Sequence, residues 1–225
     1  MAEISIHEHI IPKAVKLVFY VGDISVCQGG EFSITGGDIN PDKLEYSLDN
    51  DILKVSYTEK SFPRIVHPTL KITFPTENCE SFSLDAKAGK FSVNGICAKE
   101  FSACAAAGEL VISDCKAFEK TTIRCDAGSM KAYTCDFRNC GINNGVGEVL
   151  FENCKITGNN SVKSGVGKIA LSLSGSITDY SFVTKTGLGA ALINGQRYNN
   201  IITEPKENNF RVETGVGEIT ININI

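Results

Sequence analysis

A glycine returns through the second part of the chain at Gly89, Gly108, Gly128, Gly147, Gly167, Gly189 and Gly217, in steps of 19, 20, 19, 20, 22 and 28 residues. A period of this length is the mark of a solenoid, in which one repeat cannot bury its apolar face alone and stacked neighbours share a core. Other columns keep step with the glycine. Two residues after it stand Phe91, Leu110, Met130, Val149, Ile169, Ala191 and Ile219. Four after it stand Val93, Ile112, Ala132, Phe151, Leu171, Ile193 and Ile221. Five before it stand Leu84, Ala103, Ile123, Ile142, Val162, Thr184 and Val212. Apolar residues two apart define the inward face of a strand.

Each repeat therefore holds two short strands and two corners. One corner carries the glycine, and often a second glycine two residues earlier, as in Gly145/Gly147, Gly165/Gly167, Gly187/Gly189 and Gly215/Gly217. Glycine permits the positive φ such a bend needs. The other corner is marked by Asn94-Gly95, Ser113-Asp114, Glu152-Asn153 and Asn194-Gly195. The expected fold is all-β: a parallel β-helix of about seven coils of about twenty residues.

Residues 1–78 read as an N-terminal β-strand region capping the solenoid, and residues 79–225 as the repeats, within one continuous domain. In the first region, strands are expected near Val15–Phe19, Ile24–Val26, Phe32–Ile34, Leu44–Leu48, Ile52–Tyr57 and Leu70–Phe74. Pro63, Pro68 and Pro75 bracket a junction. One coil is long: the stretch 195–209 reads as a loop bulging from the rod. The closing alternation, Glu218 to Ile225, reads as a terminal strand with unpaired backbone groups.

Composition narrows the partners. Lys+Arg total 22 against 26 Asp+Glu, a net charge of −4, which argues against nucleic-acid binding driven by bulk positive charge. No apolar run approaches the ~18 residues of a membrane span, so no membrane insertion is expected. The first sixteen residues carry Glu3, Glu8, Lys13 and Lys16 and no signal-peptide core, so the sequence alone points to the cytoplasm. Nine cysteines without a C-x-x-C pair read as free thiols.

The segments SGVGKIALSL (164–173), KTGLGAALINGQRY (185–198) and VETGVGEITININI (212–225) resemble the putative-adhesin family of bacterial β-helix proteins. That family repeats a threonine–glycine–x–glycine–acidic–apolar unit and ends in such a coil after a longer insertion. The pieces LDNDILKVSYTEK (48–60) and LKITFPTE (70–77) resemble its entry strands, so the likeness spans residues 40–225. The early corners depart from it, keeping one glycine in Ala88-Gly89, Ala107-Gly108 and Ala127-Gly128. The resemblance implies a β-helix, a cell-envelope location and no shared active site.

Chemical motifs are sparse. Strands, not a helix, follow each GVG, so the glycines are corners and not a phosphate loop. No G-x-S-x-G occurs. His7-Glu8-His9 sets two imidazoles on one strand face, and a third metal ligand would have to come from His67 or a distant carboxylate, but two histidines rarely suffice and no metal or cofactor is expected. A polysaccharide-lyase-like enzyme would need paired carboxylates beside a base, and the outward columns show none recurring.

One outward column, four before each glycine, reads Asp85, Cys104, Arg124, Asn143, Lys163, Lys185 and Glu213. Its middle members Arg124, Asn143, Lys163 and Lys185 form a stripe that could track an anionic polymer, against the plainer reading of solvated strand-face residues. A further column, Cys115, Cys135 and Cys154 with Ser174 next, reads as internal packing. The sequence points to a non-enzymatic structural or binding module, adhesin-like, with a protein or glycan partner. The alternative is a cytoplasmic scaffold that self-assembles end to end, making homo-oligomers through a solenoid end or edge. A lyase-like enzyme ranks third.

Overall fold

Alternating apolar and polar residues with β-branched enrichment become strand nearly throughout the computed structural model, which describes residues 2–59, 68–76, 79–198 and 203–224. Pro63, His67, Ile225 and residues 199–202 of the inserted stretch lie outside the described residues. Among the described residues the helical content is two single turns, Pro41–Lys43 and Ile177–Asp179.

Strands Ser81–Asn94, Cys97–Ser113, Lys116–Tyr133 and Cys140–Thr157 each run through a glycine corner and lie parallel. The glycines pair with one another in register: Gly89 with Gly108, Gly108 with Gly128, Gly128 with Gly147. The protein is an all-β parallel solenoid. All residues of the three apolar columns are buried. Phenylalanines extend the core as a ladder, with ring centroids 5.0 Å apart for Phe82 and Phe101 and 5.6 Å for Phe101 and Phe137.

Chain order and stacking order part company at both ends. The strands Asn208–Val216 and Ile219–Asn224, through Gly217, pair in parallel with Asn159–Val166 and Ile169–Ser174 on one side. On the other side they pair with Tyr180–Leu188 and Ala191–Ile193. The Gly217 coil is thus inserted between the Gly167 and Gly189 coils, and Val212 stands between Val162 and Thr184.

This corrects the expectation that the closing strand forms an exposed end. The Gly217 coil fits the inner place better: Ile219, Ile221 and Ile223 match Ile169, Leu171 and Leu173 across six paired residues. The Gly189 coil matches for only three, because Asn194 and Gly195, both at positive φ, turn the chain back. That is a two-residue hairpin, and it lays Gln196–Tyr198 antiparallel along Ala191–Ile193. The stretch 195–209 therefore begins as a covering strand, Gln196–Tyr198.

The N-terminal end mirrors this arrangement. Ala14–Gln28 lies parallel to Ser81–Asn94 with Gly22 opposite Gly89, so this early segment belongs to the stack itself. Its other side carries Ile52–Tyr57 and Thr69–Phe74. Those are covered in turn by antiparallel Leu44–Asp49 and Phe32–Ile39, and Ala2–Glu8 lies antiparallel on the latter. Open parallel edges invite further pairing, and antiparallel flaps occupy them here.

Candidate interaction surface

The outward −4 column is reordered by the interleaving. Pairing runs Arg124, Asn143, Lys163, Glu213, Lys185. The structure brings Arg124, Asn143 and Lys163 onto adjacent strands, about 4.8 Å apart, and sets Glu213 between Lys163 and Lys185. Arg124 is engaged with Asp126 at 2.6 Å. Glu213 sits 2.6 Å from Arg211 and 3.6 Å from Lys163. The hydrogen bond from Arg211, with the charges of Lys163 and Lys185, holds its carboxyl below the usual range. The stripe is alternating, not uniformly basic.

Past the glycine corner, a groove of about 290 Å³ is lined by Asp23, Lys90, Phe91 and Glu109 among others. Glu109 accepts a 2.6 Å hydrogen bond from Lys131, and that bond lowers its pKa. A carboxylate held ionised by a lysine is poorly suited to act as a general acid.

His7 lies 3.2 Å from Glu31 on an exposed strand. Among the described residues no group of three metal-ligating side chains gathers. No helix among the described residues is long and apolar enough to cross a membrane.

All nine cysteines are free. Cys115, Cys135 and Cys154 are buried, and each thiol donates to the carbonyl two residues earlier, Ser113 at 3.2 Å, Tyr133 at 3.2 Å and Glu152 at 3.4 Å. The column continues to Leu173, not to Ser174: a register shift after Phe151 pairs Cys154 with Leu173, and Ser174 is exposed. The extra residue is accommodated at Asn153, whose φ is +53°.

One feature was not anticipated. The residue between the two glycines of each late corner is aliphatic and points outward. Val146, Val166, Val216 and Leu188 pair in that order and are 56, 46, 44 and 70% exposed. Rows of glycine flank them, for which only a bare backbone fits: a Cβ on Gly165 would meet the carbonyl oxygen of Gly145, and one on Gly215 that of Gly165. The result is an aliphatic ridge standing between two side-chain-free strips. The signal lies in the GVG and GLG triplets, whose middle residue is aliphatic in all four late corners.

A parallel all-β solenoid with covered edges and an outward ridge defines a repeat-built β-solenoid class. The chain belongs to the Toastrack DUF4097 family, whose model matches residues 23–222. Its fold is similar to that of a putative adhesin from Bacteroides fragilis, 16% identical, with 99% of this chain and 97% of that one covered and a TM-score of 0.59. It also aligns with a putative cell adhesion protein from Clostridium sporogenes, 14% identical over 99% of this chain and 100% of that one, with a TM-score of 0.44. No curated protein matches the chain.

Proposed function

We propose that the chain is a non-enzymatic binding module, an adhesin-like β-solenoid that presents fixed side-chain columns to a protein or glycan partner at the cell envelope. The observation that carries this reading is the register: backbone ladders hold outward residues at repeats of about 4.8 Å on a rigid frame, the geometry an extended partner requires. The shared fold with the putative adhesin from Bacteroides fragilis supports it. In this reading each corner glycine marks one coil, and the antiparallel strands Phe32–Ile39 and Leu44–Asp49 are the N-terminal cap.

The alternative, end-to-end assembly, rested on a free closing strand. That strand is paired on both sides, and Thr203 takes both the N–H and the C=O of Phe182 on the outermost strand. This disfavours growth from that end. A glycan array read alongside a product assay on the bound polysaccharides tests the reading. Retention of a discrete glycan class without release of fragments is expected. Cleavage of a bound polysaccharide would overturn the non-enzymatic assignment.

A further inference from the structure

Four aligned aliphatic side chains, each 44% or more exposed, form a continuous apolar feature, set apart from single exposed residues such as Phe118 and Ile11 by the pairing of their corner positions. Such a feature marks a contact site. The charges beside the ridge decide what covers it. On the side before the corner, Lys163 and Glu213 flank Val166 and Val216. On the side after it stand Lys168 and Glu218 on the same two coils. We propose that two copies of the chain associate ridge to ridge, antiparallel, with Val166 of each against Val216 of the other. This goes beyond the binding-module reading and does not depend on it.

A two-fold axis crossing the ridge between these valines reverses the coil order. The Gly167 coil of one copy then faces the Gly217 coil of the other. Lys163 meets the second copy's Glu213, and Lys168 meets the second copy's Glu218. Symmetry doubles both, giving four opposite-sign pairs around an apolar centre. A two-fold axis along the ridge would instead set Lys163 against Lys168 and Glu213 against Glu218, like charge on like at each level. The surface is therefore self-complementary in one orientation.

The same two lysines and two glutamates sum to zero, so the ridge has no electrostatic pull toward an anionic lipid surface, where each basic residue would add about 1 kcal/mol. Four side chains at about 4.8 Å make a short interface, which places the contact in the weak, transient class below about 1,200 Å². Association is expected only at high local concentration, as when many copies are displayed together.

Sedimentation equilibrium on the full chain, from about 10 to 1,000 µM, spans the range in which so small an interface would be populated. The average mass should climb from monomer toward dimer. Val166→Asp with Val216→Asp should leave a monomer with a near-unchanged melting temperature, since both positions face solvent. Lys163→Glu with Lys168→Glu should weaken association more than tenfold, and adding Glu213→Lys with Glu218→Lys should restore it. The restored four-site variant excludes misfolding as the cause. A monomer over the whole range, a dimer indifferent to the valine changes, or a dimer strengthened by the two-lysine reversal would overturn the proposal. So would binding of the monomer to neutral phosphatidylcholine vesicles through the ridge.

Discussion

A methyl group placed on Gly167 would overlap the carbonyl oxygen of Gly147, the corner glycine stacked directly against it. Gly167 also has a φ of +140°, a conformation open to glycine and almost closed to other residues. The corner is thus fixed twice, by backbone conformation and by the closeness of the neighbouring coil. Gly167→Ala should cost about 3 kcal/mol or more, by strain and by loss of register. Gly30 meets nothing within 4 Å and has no positive φ, so Gly30→Ala should stay within about 0.5 kcal/mol. Paired thermal melts check this, and equal effects would refute the stacking of the corners.

Adjacent residues on one strand should respond oppositely to the same change. Val162 is 0% exposed and Lys163 points to solvent. Val162→Asp puts a charge into the shared core and should unfold the rod, a cost of several kcal/mol. Lys163→Asp forfeits an exposed pairing with Glu213 and sets two carboxylates side by side, which should cost no more than about 1 kcal/mol. Chemical denaturation of the two variants measures the difference.

The thiols carry a pH signature. Burial raises the Cys140 thiol to about 12 and the Cys79 thiol to about 11, above an ordinary value near 9. The hydrogen bond to Cys154 and burial likewise raise Cys135. In the unfolded chain these groups ionise first, so above pH 9 the folded state holds more protons than the unfolded one. Stability is then fully present below about pH 9 and falls as pH rises toward 12. Cys140→Ala should flatten that decline, and an unchanged slope would contradict it.

In a denaturant-free titration, Cys27, Cys97 and Cys104 are the accessible thiols and should react first; all nine should react after denaturation without reductant. Serine at Cys115, Cys135 or Cys154 inherits a carbonyl acceptor in each case, so its cost should lie near 1 kcal/mol.

Glu213 decides the polymer question. With it in place, heparin should bind weakly or not at all. Glu213→Lys would join Lys163 to Lys185 in one basic run and should create salt-sensitive heparin retention. Strong retention by the unaltered chain, lost when Arg124, Lys163 and Lys185 are all changed to alanine, would show that the stripe is already a site.

The faces of the strands were legible in the sequence because side-chain period is a local property. Val162, Ile123 and their columns are buried as their spacing requires. The order of the coils was not legible, because every coil carries the same columns, and the longer match of the Gly217 coil, six paired residues against three, emerges only from the strand pairing. Gly22 illustrates this: Leu17, Ile24 and Val26 hold the same offsets as in later coils, yet 67 residues separate Gly22 from Gly89, and no local pattern spans them. The ridge escaped notice for a different reason. Single exposed aliphatics are ordinary, and only the pairing of Val146, Val166, Val216 and Leu188 turns four of them into one surface.

The interleaved stack is the claim on which the stripe and the ridge both rest, and backbone nuclear Overhauser contacts test it directly. Adjacent strands lie about 4.8 Å apart and next-nearest ones about twice that, beyond reach of the effect. The account predicts contacts from Val212 to both Val162 and Thr184, and none between Val162 and Thr184. A direct contact between Val162 and Thr184, with Val212 touching Thr184 alone, would restore stacking in chain order and contradict it.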